Sequence, residues 1–294
     1  MLSRLLSIIL PVFATIALGW LWGRRVKPDM AMVNRISMQV LAPALIFSAL
    51  ASKEFDAGAY VGLMLGSAGV VLGSCLLAWP FARLLGADPR TFVPPMMFNN
   101  CGNMGLPLAA LAFGPPGLAA MVALFTISNL LHFTLGVWLI DHRARFGNLA
   151  RNPMVIATFV GFAFALVHPP LPEWLGVTIR MVGDALIPMM LLSLGVRLTS
   201  VSRDGWQIGV IGGLLCPLTG LAMAGLLAPV LGLDANQTGL LFLFGCLPPA
   251  VLNFMVAEQF NQEPGKVASI VLIGNLLAVA FVPLGLALAL RGAP

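Results

Sequence analysis

Apolar runs of about twenty residues recur along almost the whole chain, separated by short polar links rich in Gly, Pro and Asp. A helix needs about 20 mainly apolar residues to cross the hydrocarbon core of a bilayer. Transmembrane β-strands would give alternating segments of about ten residues, a pattern that this sequence does not show. We therefore predict an all-α polytopic membrane protein. Its ten transmembrane helices, numbered here as spans one to ten, are expected at roughly 5–23, 32–50, 60–85, 91–113, 117–140, 153–168, 174–196, 206–231, 236–258 and 265–290.

The composition agrees with a membrane location. Of the 294 residues, 59% are hydrophobic and 9% are charged, and the mean hydropathy is +0.97. Soluble domains carry about 25% charged residues. The four cysteines all fall within apolar spans and form neither a CxxC pair nor a Cys/His cluster. We therefore expect small buried thiols and no metal site.

The basic residues are scattered among the links, and their distribution predicts the orientation of the chain. The net charge is +5, but no run of five basic residues occurs, so a nucleic-acid partner is not expected. Cytoplasmic links of membrane proteins are enriched in Lys and Arg. Eleven basic residues follow odd-numbered spans and three lie on the other side. This asymmetry predicts a cytoplasmic membrane protein with both termini outside and a cytoplasmic central link at 141–152.

The two halves of the chain repeat each other. Three motifs recur in the same order about half the chain apart: PALIFSAL (43–50) with PMMLLSLG (188–195), PPMMFN (94–99) with PPAVLN (248–253), and ISNLL (127–131) with IGNLL (273–277). Each half holds five predicted helices, so the second half must enter the membrane from the opposite face. We therefore expect two inverted repeats, residues 1–140 and 153–294, a common plan of secondary transporters.

Spans four and nine contain clusters of residues that interrupt helices. Proline removes a backbone donor and glycine weakens a helix, and in lipid the freed backbone groups need partners or a wet cavity. We predict a broken helix in each half, with the breaks crossing near the bilayer midplane. The alternative is that such residues only favour close packing and hydrogen bonds between helices. The predicted breaking residues are Pro94, Pro95, Gly102, Gly105, Pro107, Pro248 and Pro249.

Side-chain amides accompany both breaks. The helix N-termini that a break creates carry partial positive charge, and with the amides they could hold a carboxylate without a buried lysine or arginine. Asn129 and Asn275 are repeat partners beside the breaks, and they either line this site or support the breaks. The predicted substrate-binding residues are Asn99, Asn100, Asn103, Asn253, Asn129 and Asn275.

Three ionisable residues within the spans are candidates for ion coupling. Asp184 is the only acid well inside a span, and intramembrane acids are often functional. Arg180 lies four residues earlier on the same helix face. Asp184 either senses a coupling proton or shapes the anion site, or it forms a neutralised structural pair with Arg180. His132 shares a face with Asn129, and it either titrates near neutral pH or is a hydrogen-bonded packing histidine.

The motifs around both breaks resemble a known family. NNCGNMGLPLAALAFG (99–114), LPPAVLNFMVAEQF (247–260) and VNRISMQVLAPALIFSAL (33–50) are similar to stretches of the auxin efflux carrier family, which includes plant auxin carriers and bacterial malonate and malate permeases. Within this resemblance, Asn100, Gly105 and Pro107 match the first motif. The plant carriers have proline where this chain has Asn253. The resemblance implies a ten-helix inverted repeat in which a transport part moves against a scaffold part and carries small organic anions.

These observations favour a secondary transporter that moves a small carboxylate, malonate-like, malate-like or auxin-like, by an elevator-type mechanism. The alternative is a sodium-coupled organic anion symporter of the bile-acid type. An enzyme is not expected, because the chain has no HExxH or GxSxG motif and no paired intramembrane aspartates. The expected partners are the anion and the lipid bilayer, with a homodimer left open. No cofactor is expected beyond a coupling proton or sodium ion.

Overall fold

The structure is a computed structural model that describes residues 2–26, 28–52, 55, 58–142, 151–167, 169–200 and 205–290. Most of the predicted central link, residues 143–150, lies outside these ranges. The same holds for six of the basic residues that predict the orientation: Lys27, Lys53, Arg143, Arg145, Arg203 and Arg291.

The described chain is helical almost throughout. The helices of the first half are α1 (Leu2–Val26), α2 (Met30–Ile36), α3 (Ala42–Leu50), α4 (Val61–Leu84), α5 (Pro89–Met97), α6 (Leu106–Leu131) and α7 (Val137–Ile140). The helices of the second half are α8 (Pro153–Val167), α9 (Glu173–Asp184), α10 (Leu186–Arg197), α11 (Trp206–Val230), α12 (Ala235–Gly245), α13 (Val251–Gln259) and α14 (Pro264–Ala289). Three π-helical turns join consecutive helices, at Ser37–Leu41, Cys101–Gly105 and His132–Gly136.

Local sequence accounts for several helix ends. The side chains of Asp29, Asp88 and Asp234 each accept a hydrogen bond of 2.8–2.9 Å from a backbone N–H in the first turn of the helix that follows. Such N-caps satisfy donors that a helix leaves without partners. Gly86 and Gly232 follow α4 and α11 with φ of 61° and 62°. Because glycine adopts positive φ without steric cost, both helices can end there in a tight turn.

Seven helical stretches within the described residues are long and apolar enough to cross a membrane, judged by length and composition. They confirm that the protein is an all-α polytopic membrane protein. Fewer than ten reach this length because α8 has only 15 residues and span nine is divided between two short helices. In addition, spans four and five join into one run from Cys101 to Ile140, which kinks at Gly114 where φ is 69°.

Helical structure stops in the middle of spans four and nine. The first interruption covers residues 98–100, between α5 and the π-helical turn that leads into α6. The second covers residues 246–250, between α12 and α13. Pro94 and Pro95 lie in the last turns of α5, whereas Pro248 and Pro249 lie within the second interruption. Both interruptions lie in the spans where the sequence predicts breaks. Gly102 and Gly105 lie instead in the π-helical turn after the first interruption, and Pro107 lies in the first turn of α6, so these three residues do not break a helix.

The helices pack as two groups. In the first, called the α1 group, α1 packs along α10 and α3 packs against α8 and α9. The group also includes α2 and the turn at Ser37–Leu41, which joins α2 to α3 and contacts α8, α9 and α10. In the second, called the α4 group, α4 to α7 pack with α11 to α14, and α11 makes its most extensive contact with α14. Contacts between the two groups are fewer and involve mainly α1, α3 and α10 against α6, α14 and the turn at Cys101–Gly105.

Glycines bring backbones together within each group. A Cβ at Gly195 of α10 would overlap the Ile16 carbonyl of α1, and a Cβ at Gly220 of α11 would overlap the Gly245 carbonyl of α12. Close approach of this kind is typical of membrane helices, where van der Waals packing drives association. Across the described residues, the glycine contacts between different helices all fall inside one group or the other.

Candidate functional site

The two interrupted spans cross and bind each other through their backbones. Asn100 N–H donates to the Pro248 carbonyl at 2.6 Å, and Ala250 N–H donates to the Phe98 carbonyl at 2.9 Å. Asn99 and Pro249 thereby form a short antiparallel bridge, the only β-type pairing in the described part of the chain. The bridge satisfies backbone groups that the breaks release, which lipid could not do.

Two asparagines complete the crossing in a reciprocal way. Asn99 Nδ2, on the first interruption, donates to the Phe244 carbonyl at 2.6 Å, near the end of α12. Asn253 Nδ2, on α13, donates to the Phe98 carbonyl at 2.9 Å, directly after α5. Each amide therefore satisfies a carbonyl where the other broken span loses its helix. Both side chains are buried, with 8% and 2% of their surface exposed.

A second pair of amides ties the crossing to α14. Asn100 Nδ2 donates to Asn275 Oδ1 at 2.7 Å. Asn275 Nδ2 in turn donates to the Pro249 carbonyl at 3.0 Å and to the Val271 carbonyl of its own helix at 2.8 Å. Asn275 thus supports the breaks and is not among the residues that line the cavity described next.

A cavity opens beside the crossing, between the two helix groups. We call it the asparagine cavity. The α4 group contributes Asn99, Asn100, Cys101, Gly102, Asn103, Phe125, Ser128, Asn129, His132, Ala250, Val251, Leu252 and Met255. The α1 group, including α2 and the turn at Ser37–Leu41, contributes Asn34, Met38, Ala42, Met154, Leu186, Met190, Ser193 and Arg197.

The first turns of two helices line this cavity. Residues 101–103 begin the second half of span four, and residues 250–252 begin α13. The first N–H groups of a helix have no partner within the helix, and a helix N-terminus carries roughly half a positive charge. Together the two N-termini make the centre of the cavity attractive to an anion.

Two buried polar atoms of residues at the cavity have no hydrogen-bond partner within the described structure. Asn99 Oδ1 and His132 Nε2 are inaccessible and make no hydrogen bond within the described structure, although both residues line the cavity. The His132 ring stacks on Phe98, with centroids 4.0 Å apart and planes 8° from parallel. The histidine therefore packs against the first interruption and also borders the cavity, and its titration near neutral pH stays a prediction.

Asn103 and Asn129 differ from the other amides because they line the cavity without tying the crossing together. Both are only partly buried. Asn129 occupies the position in α6 that Asn275 occupies in the repeat, yet it faces the cavity between the helix groups. Of the six predicted substrate-binding residues, Asn99, Asn100, Asn103 and Asn129 line the cavity, whereas Asn253 and Asn275 hold the breaks from behind.

Asp184 and Arg180 lie elsewhere. They line a second cavity with Ser48, Ser52 and Gly114, and both side chains are exposed. Among the described residues no ion pair joins Arg180 to Asp184; the ion pair found is between Lys266 and Glu263. Asp184 ends α9, one residue before α10 begins. Asp184 and Arg180 are therefore not part of the asparagine cavity, so Asp184 does not shape that cavity by direct contact.

Several residues of the asparagine cavity were not expected from the sequence, and three of them carry donors that could face a solute. Asn34, Ser128 and Arg197 come from spans two, five and seven. Arg197 was counted only as a basic residue at the end of a span, although its place in the last turn of an apolar helix is a recognisable signal. Nothing in the sequence shows that span seven packs beside the crossing, so the signal could not be assigned to the site.

The chain belongs to the family described as "Membrane transport protein", whose model matches residues 5–286. The match covers nearly all of the predicted spans and includes both interruptions. The protein is therefore a membrane transporter, and the prediction of a transporter in place of an enzyme is confirmed.

Individual relatives agree with this family. The chain is 27% identical over 308 residues to a protein of Rhizobium meliloti (strain 1021) named "Putative malonate transporter", covering 96% of this chain and 94% of that protein. It is 24% identical over 294 residues to an "Uncharacterized transporter" of Methanothermobacter thermautotrophicus, covering 94% and 95%. It is 26% identical over 138 residues to "Auxin efflux carrier component 3" of Arabidopsis thaliana, covering 45% and 22%. The resemblance to auxin efflux carriers inferred from the motifs is thereby confirmed.

Proposed function

We propose that the protein is a secondary transporter for a small organic anion, and that the anion binds in the asparagine cavity. The observation that carries the proposal is the meeting of two helix N-termini and several amides in one cavity whose described lining includes no acidic residue. Amide and backbone N–H groups donate hydrogen bonds to a carboxylate, and the helix dipoles add positive potential. A cationic solute would be repelled by this potential, and a neutral one would gain nothing from it.

The inverted repeat is supported by the reciprocal hydrogen bonds of repeat partners. Asn99 and Asn253 occupy equivalent positions in the two halves, and each caps the broken span of the other half. The packing of the α1 group follows the same exchange, since span one packs on span seven and span two packs on span six. We infer ten spans in two inverted halves, residues 1–140 and 153–294, joined by the link at 141–152.

The division into two helix groups supports an elevator-type mechanism. The polar ties across the crossing and the close glycine contacts between helices lie inside one group or the other. The cavity lies between the groups. The α4 group, which carries both broken spans, can therefore move as a unit past the α1 group and take the bound anion with it. Shape change of this kind is expected at interfaces that are less tightly packed than the bodies they separate.

The positions of the cavities suggest which side is open. The asparagine cavity reaches the start of α8 and the end of α10, at Met154 and Arg197, which border links predicted to be cytoplasmic. A neighbouring cleft adds Arg151 and Gln259 on the same side. The cavity around Asp184 lies instead near Ser52 and Gly114, beside links predicted to be outside. We infer a cytoplasmic membrane protein in an inward-open state with both termini outside.

The names of the relatives suggest a substrate class. One relative of nearly equal length is named for malonate transport, and another of partial coverage is named for auxin efflux. Both malonate and auxin are small carboxylates. We propose a carboxylate substrate for this chain, with a proton or sodium ion as the coupling ion. Asp184 and Arg180 are the candidates for proton coupling because they line the cavity on the other side of the crossing.

Uptake into proteoliposomes tests the function. The purified protein is reconstituted and given radiolabelled malonate, propionate or indole-3-acetate, with sodium or choline as the cation and with or without a pH gradient. We expect saturable carboxylate uptake that falls roughly 2- to 10-fold in affinity in Asn103→Ala and in Asn129→Ala, the effect of one lost hydrogen bond. Equal uptake by empty liposomes would end the proposal. Dependence on sodium would favour the bile-acid type of symporter, and loss of pH dependence in Asp184→Asn would assign proton coupling to that residue.

A further inference from the structure

Arg197 contributes a full positive charge to the lining of the asparagine cavity. It is the last residue of α10 and is partly buried. It belongs to the α1 group, whereas the helix N-termini and most of the amides belong to the α4 group. Among the described residues that line the cavity, Arg197 is the only one with a side chain that is always ionised.

The charges around the cavity fall into two separate places. At the crossing, two helix N-termini supply partial charges that together approach one unit. On the α1 group, Arg197 supplies a second unit on a planar guanidinium that can bind a carboxylate with two hydrogen bonds. Asn99 Oδ1 and His132 Nε2, two buried polar atoms of residues that line the cavity, make no hydrogen bond within the described structure.

We propose that Arg197 is a specificity residue that binds the distal negative group of the transported anion, while the crossing holds the proximal carboxylate. The inference rests on the proposed function and adds a second point of recognition to the same cavity. A short dicarboxylate can occupy both places, whereas a monocarboxylate of equal length leaves Arg197 without a substrate partner. Because Arg197 is in the α1 group, the contact exists only while the cavity faces this side.

A purely structural role for Arg197 would have different consequences for stability and for anion preference. A basic residue in the last turn of α10 stabilises the helix through its dipole, and Glu258 of α13 attracts Arg197 electrostatically. A residue with only these roles would affect the stability of the protein and leave the preference among anions unchanged. Under our proposal, Glu258 and the distal carboxylate compete for Arg197.

Binding to purified protein in detergent separates the two roles. Affinities for malonate and propionate are measured calorimetrically at about pH 7.5, where both carboxyl groups of malonate are ionised. We expect Arg197→Gln to lower the affinity for malonate roughly 10- to 100-fold, the effect of a lost charge-assisted hydrogen bond. The affinity for propionate should change less than about 3-fold. Arg24→Gln is the control, because it removes the same charge from the exposed end of α1, outside the cavity. We expect it to match the wild type.

The remaining outcomes decide between the proposals. If Arg197→Gln binds malonate like the wild type, or weakens both acids equally, the specificity role is wrong. If Arg197→Gln does not fold, Glu258→Gln provides the test. Removal of the competing carboxylate should raise the affinity for malonate several-fold and leave the affinity for propionate nearly unchanged. An unaltered affinity for malonate would overturn the specificity role. If the wild type binds neither acid, the carboxylate function itself fails. If Asn129→Ala weakens both acids while Arg197→Gln changes neither, the function stands without Arg197.

Discussion

At the scale of single residues, the asparagines divide into those that hold the protein together and those that face a solute. Asn275 makes three hydrogen bonds, to Asn100 and to the carbonyls of Pro249 and Val271. Its repeat partner Asn129 lies at the cavity instead. The sequence predicts that both lie beside the breaks, but two equivalent positions can have different surroundings.

This division gives a prediction for paired variants. Asn275→Ala should lower the free energy of unfolding by roughly 1–3 kcal/mol, because Asn100 and two buried carbonyls lose a partner. Asn129→Ala should change it by less than about 0.5 kcal/mol, because that amide makes no such ties. Thermal unfolding of both variants in the same detergent measures the difference. Equal losses in the two variants would contradict the assignment of a supporting role to Asn275 alone.

At the scale of elements, the breaks could be predicted from Pro, Gly and Asn residues, whereas the π-helical turns could not. Proline and glycine act on their own backbone, so their effect is visible in the sequence. The turns at Cys101–Gly105 and His132–Gly136 lie before and after α6, and local propensity does not distinguish a π-helical turn from an α-helical one. Turns of this kind are frequent at functional sites. Arg197 could not be assigned to the site from the sequence, because its role depends on which helix packs beside α10.

The packing of α11 on α12 gives an element-scale prediction. Gly220→Ala should destabilise the protein by roughly 1–3 kcal/mol, because the added methyl group would overlap the Gly245 carbonyl and force the two helices apart. Gly265→Ala, in the first turn of α14 with nothing nearby, is the matched control and should be neutral or slightly stabilising. Thermal unfolding in detergent checks both. A wild-type midpoint for Gly220→Ala would show that these helices can separate without cost.

A polar link between the N-terminus of α5 and the loop before α14 gives a pH-dependent prediction. Thr91 Oγ1 donates to Glu263 Oε2 at 2.7 Å, and Gln262 Nε2 donates to Asp88 Oδ2 at 2.9 Å. Hydrogen bonds from Lys266 and from Thr91 hold the pKa of Glu263 below its ordinary value of 4.5. Because the folded state favours the ionised form, this link stabilises the protein above pH 4.5, and its contribution disappears as the pH falls through the lowered pKa.

The comparison of wild type with Glu263→Gln across pH measures this contribution. The wild type should unfold at a higher temperature than the variant near neutral pH, and the difference should shrink as the pH falls below about 4.5. The effect should be modest, because the carboxylate is partly exposed and screened by water. Glu173→Gln, at the exposed first turn of α9, controls for the loss of one carboxylate. A difference that grows on acidification would mean that the link has the opposite sign.

At the scale of the whole molecule, the proposed mechanism has one helix group moving past the other and carrying the asparagine cavity between them. Asn103 belongs to the α4 group and Asn34 to the α1 group, and both line the cavity. If the α4 group carries the site across the membrane, Asn103 should become accessible from both sides during transport. Asn34 stays with the α1 group and should remain accessible from one side only. A mechanism in which both groups rock around a fixed site would expose the two positions equally.

Cysteine labelling can therefore distinguish the two motions. The four native cysteines are replaced first, because Cys101 lines the cavity, and Asn103→Cys and Asn34→Cys are introduced separately. A membrane-impermeant thiol reagent is applied to one face of proteoliposomes or to the other while malonate is supplied. We expect Asn103→Cys to react from both faces and Asn34→Cys from the cytoplasmic face alone. Reaction of both positions from both faces would favour rocking, and reaction of Asn34→Cys from outside alone would reverse the orientation inferred from the basic links.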